Sequence, residues 1–219
     1  MLYTISTIKN GKPPPMTDDS ITFNLDAPID ALTDAEAGYL EGKLLVATPL
    51  VMGDVFEQSV IYIFAHNSDG AMGLVINKPV DTIHNTALLK QLDINIHQES
   101  DMGVFHGGPV DEHRGFVVHS QDYYSPETLI KKNGICITTS RQILKDVAQG
   151  KGPDHKMLVV GYAGWNAGQL QAEIEANSWI TVDATPQLVF SDDHETKWAL
   201  AAGSIGVDMG RFSFATGHA

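Results

Sequence analysis

Residues 157–174, MLVVGYAGWNAGQLQAEI, place an apolar run directly before three glycines and a helical pattern. The run has the length and composition of a buried strand. A helix is expected over about residues 167–177, because Leu170 and Ile174 lie one turn apart on the same face. The run WITVDA at 179–184 predicts a second strand. This order of elements is that of a dinucleotide-binding βαβ unit.

The glycine spacing does not fit phosphate binding. The dinucleotide fingerprint is G-x-G-x-x-G, whereas Gly161, Gly164 and Gly168 follow another spacing. Trp165 also stands where main chain should approach a pyrophosphate, and no lysine with a hydroxyl residue follows, as a P-loop requires. We therefore interpret the glycines first as a tight corner between strand and helix. A small-ligand or partner site that uses exposed backbone and Trp165 is the second interpretation.

Composition limits the class of protein. The chain has 219 residues, of which 43% are hydrophobic and 19% charged, as is typical of soluble globular proteins. A net charge of −13 disfavours generic binding of nucleic acid. No apolar run is long enough to cross a bilayer, and the first residues lack the pattern of a secretory signal. Cys136 alone can form no intrachain disulfide, so a cytoplasmic protein is expected.

The chain divides into a short extension and one larger domain. Residues 1–41 contain three consecutive prolines and little periodicity, which predicts a loosely ordered extension before a domain at 42–219. Runs typical of strands lie at 43–48, 59–65, 72–78, 134–139, 156–163 and 179–184. The turn residues Ser68-Asp69-Gly70 predict a hairpin between the second and third runs. We also expect a second hairpin, in which 103–108 and 114–120 flank the loop PVDEH.

Helical patterns lie between these runs, at 85–92, 139–150, 167–177 and 191–206. Thr139 or Ser140 is placed to cap the second helix, and Ser191 or Asp192 the fourth. Helices alternate with strands, but hairpins interrupt the alternation. The pattern predicts one α/β-type domain, α+β-like in its hairpins, on a mixed and partly antiparallel sheet flanked by helices.

We find no pattern that predicts a metal site, a cofactor or a catalytic nucleophile. His106, His113 and His119 are not at metal-ligand spacing. The stretch AGSIG at 202–206 resembles a nucleophile elbow, but a helix precedes it where an elbow needs a strand. Cys136 lies between two isoleucines in a strand and is expected to be a core thiol.

The stretch VFHGGPVDEHRGFVVHS at 104–120 is less ordinary. Gly107-Gly108-Pro109 predicts a sharp, close-packed entry to the loop. Arg114, one of only three arginines, can hold a carboxylate or phosphate through two hydrogen bonds. It can equally brace the loop through backbone carbonyls or pair with Asp111, which is the commoner role of such an arginine.

Four stretches together resemble the bacterial YqgE/AlgH family, in the order that the family shows. They are residues 42–79, 106–120, 159–181 and 211–219. The resemblance implies a single α/β domain in a cytosolic bacterial protein, with a mixed, partly bifurcated sheet and flanking helices. Some members are labelled transcriptional regulators of exopolysaccharide synthesis, and no reaction or cofactor is established for the family. Members usually carry an acid where this chain has His113, and many carry one at Ala65, which disfavours a shared acid–base reaction.

The leading hypothesis is a regulatory protein that binds a small ligand or another protein and is not an enzyme. Its motivation is a set of glycine, amide and aromatic residues in loops, without an assembled nucleophile–base or metal set. The residues expected at the binding surface are His66, Asn67, Asn77, Gly107, Gly108, Arg114, Gly164 and Trp165. One alternative is a DNA-binding transcriptional regulator, which the net charge opposes. Another is an undescribed small-molecule enzyme that uses Arg114 and nearby histidines.

Overall fold

The computed structural model describes residues 39–53, 55–80 and 102–211. Nine strands are found in these ranges: β1 Lys43–Ala47, β2 Val60–Asn67, β3 Gly70–Val75, β4 Gly103–His106, β5 Val110–Ser120, β6 Thr128–Lys132, β7 Ile135–Thr138, β8 Lys156–Asn166 and β9 Trp179–Asp183. The helices of the same ranges are α1 Arg141–Ala148, α2 Gln169–Glu175, α3 Pro186–Val189 and α4 Lys197–Gly203, with a 3₁₀ turn at Met209–Arg211. The helix predicted at 85–92 and most of the predicted extension at 1–41 lie outside the described residues.

The strands form a single sheet in the order β6-β7-β5-β8-β3-β2-β1-β9, and β4 pairs additionally with β8. The pairing of β4 with β8 is parallel, and the other strand pairs of the described residues are antiparallel. The predicted hairpin of β2 and β3 is confirmed, with Asn67 opposite Gly70. The prediction of one domain with a mixed, partly antiparallel sheet and flanking helices is therefore confirmed.

Strand β8 is the point at which the sheet divides. Its first half, 157–160, pairs with β4, and its second half, 163–166, pairs with β3. The chain that continues β3, over 75–80, pairs with β4 instead: the N–H of Val75 donates to the carbonyl of Gly107, and the N–H of His106 to that of Lys78. Strand β4 thus lies as a wedge between two strands that diverge, which is the bifurcation that the family resemblance implied.

The predicted second hairpin is wrong. Strands β4 and β5 run in opposite directions, as hairpin arms do, but both pair with β8, which lies between them. Residues 107–109 carry the chain across β8 from one edge to the other. A Cβ atom at Gly108 would lie 2.3 Å from the carbonyl carbon of Tyr162, so a side chain has no space at this crossing. The sequence shows the sharp turn but not the strand that comes to lie inside it.

Gly161 of β8 forms the other side of this close backbone contact. Gly161 has φ +75°, and a Cβ there would lie 2.4 Å from the carbonyl oxygen of Gly108. The interpretation as a strand–helix corner is wrong for Gly161 and Gly164, because β8 continues through both of them to Asn166. Close packing is nevertheless the role of Gly161. Its packing partner is the β4–β5 connection, however, and not helix α2.

Hydrophobic side chains alternate along the strands and cover both faces of the sheet. One face packs against Leu170 of α2 and contains Leu45, Ile61, Ile63, Val75, Ala163, Trp165 and Trp179. The opposite face packs against Val189 of α3 and Ala201 of α4 and contains, among others, Tyr62, Phe64, Phe105 and Phe116. Helix α1 covers β4, β5 and β8 through Ile143 and Leu144. No helix in the described ranges is long and apolar enough to span a membrane.

The N-terminal caps of α1 and α4 show where a local sequence pattern is enough to predict the start of a helix. Ser140 caps α1 as predicted, since its side chain accepts a hydrogen bond from the N–H of Gln142. The predicted cap of the last helix is wrong, because Ser191 instead accepts from the N–H of Asp193 in a separate turn. Helix α4 begins only at Lys197. Strand β6 and the short helix α3 were not predicted.

Candidate functional site

Four of the eight candidate residues meet where β2 and β8 end, where β3 begins and where the chain turns into α2. We call residues 66–71 and 164–173 the hairpin corner. His66 is opposite Ala71, and Ala71 is opposite Trp165, so the side chains of His66 and Trp165 point to the same face of the sheet. Helix α2 covers that face.

His66 is buried, with 1% of its surface exposed. Its Nδ1 accepts a hydrogen bond from the backbone N–H of Leu40 at 3.0 Å, and its Nε2 lies 3.0 Å from the side-chain amide of Gln171. Because a neutral ring that accepts at Nδ1 carries its proton at Nε2, the amide oxygen of Gln171 must face the ring. The ring of Tyr39 packs edge-on at 4.9 Å. Burial lowers the pKa of His66.

Trp165 is buried and held by a carboxylate. Its indole N–H donates to Oε2 of Glu173 at 2.8 Å, and the indole N–H of Trp179 donates to the same oxygen at 2.7 Å. The side-chain amide of Gln169 donates to the other carboxylate oxygen at 2.9 Å. The two indole rings pack edge to face at 6.1 Å. Glu173 therefore joins α2 to β8 and β9, a role that no local motif indicates.

Asn67 and Gly164 form the outer part of the hairpin corner. Asn67 is partly exposed, and its side-chain oxygen accepts a hydrogen bond from the N–H of Asp69 at 2.8 Å, which shapes the hairpin turn. Gly164 is exposed, and a Cβ there would lie in ordinary contact, 3.6 Å from Cε2 of Tyr162. A Cβ on Gly70, in contrast, would lie 2.2 Å from the carbonyl oxygen of Trp165. The surface of the hairpin corner is thus supported by the tightly packed backbone of Gly70 and Trp165.

Three other candidates, Gly107, Gly108 and Arg114, lie where the chain crosses β8. The guanidinium of Arg114 lies 5.5 Å from the ring centroid of Phe116, in range of a cation–π contact. This contact with Phe116 is not among the roles that the sequence suggests for Arg114. His106 lies beside this crossing with its Nε2 3.7 Å from Oε1 of Glu112.

Asn77, the eighth candidate, lies on the segment 75–80, which pairs with β4 and Gly107, but its side chain is bonded to the loop before β2. Its side-chain oxygen accepts from the N–H of Val60 at 2.7 Å, and its amide donates to the carbonyl of Gln58 at 2.9 Å. Gln58 has a left-handed backbone with φ 53°. These two bonds stabilise the loop that leads into β2.

The structure also buries two polar side chains, and the burial of neither was predicted from the sequence. Lys197 is fully buried, and its ammonium donates to the carbonyls of Val189 at 2.8 Å and Ile76 at 3.3 Å. Burial lowers the pKa of this lysine to about 8. His119 is also fully buried, with ring nitrogens 2.8 Å from the carbonyl of Ser120 and 2.9 Å from the hydroxyl of Thr138. In sequence, both residues look like ordinary polar positions of an amphipathic segment.

Two further features bear on chemistry. Within the described ranges, no group of three or more histidine, cysteine, aspartate or glutamate side chains is arranged to hold a metal ion. A shallow groove lies where α4 meets the 3₁₀ turn. It is lined by Trp198, Ala199, Gly203, Gly206, Val207, Asp208, Met209 and Gly210, and so by none of the eight candidates.

Comparison with known proteins gives consistent matches. A family model described as AlgH-like matches residues 44–210. A UPF0301 protein of Bradyrhizobium sp. (strain BTAi1) is 49% identical over 197 residues, which cover 84% of this chain and 90% of the relative. Another, from Afipia carboxidovorans, is 43% identical over 206 residues and covers 90% and 98%.

Two solved structures are similar in fold. The solution structure of the AlgH protein from Pseudomonas aeruginosa has a TM-score of 0.66 and 34% identity, and covers 85% of this chain and 99% of that one. A crystal structure of a protein from Corynebacterium diphtheriae has a TM-score of 0.59 and 22% identity, and covers 73% and 84%. The second likeness concerns the fold alone.

Proposed function

The chain belongs to the AlgH-like family, and we propose that it is a regulatory protein that binds a small ligand or a protein partner at the hairpin corner. Binding, and not catalysis, is its activity in this proposal. Four of the eight candidate residues meet there, and this convergence is the observation that supports the proposal.

The corner has an outer and an inner part. Asn67 and Gly164 reach the surface beside the exposed turn 166–168, which offers amide groups and backbone to a partner. Directly beneath, His66 and Trp165 are buried and tied to helix α2 by hydrogen bonds. Loops on a rigid base are the common location of binding sites, because the base keeps the contact groups in place without a cost in ordering them.

The ligand part of the proposal is tested with a thermal-shift panel of nucleotides, sugar phosphates and common metabolites. A ligand that binds only the folded state stabilises it by about 2.7 kcal/mol at a hundredfold excess over its Kd. The partner part is tested by pull-down from bacterial lysate with the full chain as bait. If neither a millimolar ligand nor a reproducible partner is found, the proposal is wrong.

The location is tested with a matched pair of variants. Gly164→Lys places a charged side chain on the corner, and Gly203→Lys does the same at the groove beside α4. Neither substitution meets atoms closer than ordinary contact. We expect Gly164→Lys to abolish the interaction and Gly203→Lys to retain it. The opposite result would assign binding to the α4 groove, and a sequence-selective, salt-sensitive gel shift would instead support the DNA-binding alternative.

A further inference from the structure

His66 also joins the chain that enters the domain to helix α2. Its Nδ1 holds the N–H of Leu40, its Nε2 contacts Gln171, and its ring packs against Tyr39. Tyr39 and Leu40 lie shortly before β1, which begins at Lys43, and Leu40 packs against the core face that α2 covers. The buried imidazole of His66 and the packing of Leu40 therefore fix residues 39–40 to the folded domain together.

The hydrogen bond to Leu40 exists only while Nδ1 is unprotonated. Protonation turns this acceptor into a donor that points at another N–H, so the bond is lost and two donors face each other. The resulting imidazolium would also be buried, which is costly for a charge without a partner. Both effects are relieved when residues 39–40 move away and water reaches the ring.

We propose that His66 is a proton-operated latch: the neutral ring holds residues 39–40 against the domain, and the protonated ring releases them. The latch is a regulatory device in the fold. The latch opens as pH falls, and residues 39–40 then no longer cover the inner part of the hairpin corner.

The charged groups on the surrounding elements do not favour the alternative, in which His66 is protonated but stays buried and keeps residues 39–40 in place. The carboxylates on the elements packed about it are Asp69 in the hairpin turn, Glu41 on the entering chain, and Glu173 and Glu175 on α2. Oε1 of Glu41 lies 3.5 Å from the ammonium of Lys132. The carboxylate of Glu173 accepts hydrogen bonds from the indole N–H groups of Trp165 and Trp179. Among the described residues, no carboxylate forms an ion pair with His66. Burial accordingly lowers the pKa of this histidine, as the latch requires.

The latch is tested by amide hydrogen exchange at Leu40 in the full chain, at pH 7.5 and pH 5 and corrected for the intrinsic rate. Opening is favoured by up to tenfold for each pH unit below the ordinary histidine pKa of about 6.5, so protection falls by up to about thirtyfold. His66→Asn retains an oxygen acceptor near the position of Nδ1 but does not titrate. Its Leu40 protection is expected to change by less than about twofold over the same range.

His155→Asn serves as the matched control, because His155 stacks on Phe190 on the other side of the sheet and should leave the wild-type response unchanged. Equal pH responses in wild type and His66→Asn would overturn the latch. A second measurement needs no variant: the ring signal of His66 and the amide signal of Leu40 must titrate with one midpoint in NMR, and separate midpoints also overturn it. No partner enters these measurements, so failure here leaves the proposed binding surface untouched.

Discussion

Gly107 and Gly161 meet where the β4–β5 connection crosses β8, and a Cβ atom added to Gly107 would lie 2.2 Å from the carbonyl oxygen of Gly161. The N–H of Gly107 also donates to the carbonyl of Val160 at 2.7 Å, so the two chains are in direct backbone contact. The crossing allows β4 and β5 to hold opposite edges of one strand. Without it, β4 could not separate β3 from the first half of β8.

The first prediction concerns this crossing. Gly107→Ala should destabilise the protein by about 3 kcal/mol or more, because the methyl group meets backbone that cannot move without breaking strand pairing. Gly164→Ala is the matched control, since its nearest contact is 3.6 Å, and it should change stability by no more than about 0.5 kcal/mol. Urea denaturation gives both values. Similar stabilities for the two variants would contradict the role assigned to the crossing.

The second prediction concerns Glu173. In Glu173→Gln, one oxygen is replaced by an NH₂ group, so at least one of the donors from Trp165, Trp179 and Gln169 loses its acceptor. We expect a loss of about 1–3 kcal/mol, which is typical of a buried donor left without a partner. The exposed Glu175→Gln on the same helix should remain within about 0.5 kcal/mol of wild type. Denaturation followed by tryptophan fluorescence measures both, and equal losses would be evidence against the carboxylate clamp.

The third prediction is a loss of stability in mild acid. Burial lowers the pKa of His119 in the folded state, whereas the unfolded chain keeps the ordinary value near 6.5. Between these two values the unfolded state binds more protons, so the free energy of unfolding falls as pH decreases below about 6.5. One such group contributes a slope of at most about 1.4 kcal/mol per pH unit.

The histidine variants separate this contribution from others. His119→Asn should be less stable at pH 7.5 but should show a shallower decline toward pH 5, whereas His155→Asn should decline as wild type does. Chemical denaturation at several pH values provides the curves. An unchanged slope in His119→Asn would show that this histidine does not carry the acid sensitivity.

The fourth prediction concerns the buried ammonium of Lys197. Its pKa is lowered to about 8 in the folded state, below the ordinary value of 10.5. The folded state therefore releases its proton first, and stability rises between about pH 8 and 10.5 by about 3 kcal/mol from this group. Lys197→Met lacks the group and should lack this rise.

Lys43→Met is the control for general alkaline effects, because Lys43 pairs with Asp183 at the surface and the variant retains Lys197. The difference in unfolding free energy between Lys43→Met and Lys197→Met should grow with pH over this range. A constant difference would mean that Lys197 titrates at its ordinary value.

Several features of the fold were predictable because they depend on neighbours in the chain. The hairpin of β2 and β3 follows from two apolar runs around Ser68-Asp69-Gly70, and the cap of α1 from Ser140. Leu170 and Ile174 contact one core face, as their helical spacing predicts. Each of these follows from a period or a turn residue within one segment.

The candidate site was predictable only in part. The sequence indicated His66, Asn67, Gly164 and Trp165, but not that β3 aligns them in one corner. It gave no sign that His66 is turned inward to hold Leu40. No local pattern marks Glu173 as part of this site, because its two tryptophan partners come from different strands.

The amino-acid sequence by itself determined the family, most of the segments that form strands and helices, and the need for glycine near residues 107 and 161. Periodicity, turn chemistry and steric freedom are properties of short stretches of chain, so they can be recognised there. Only the tertiary structure decided that β8 lies between β4 and β5, that Lys197 is buried and that α2 closes over His66. These outcomes depend on which distant segments bury each other's apolar faces and satisfy each other's backbone groups, and that choice is made by the whole chain.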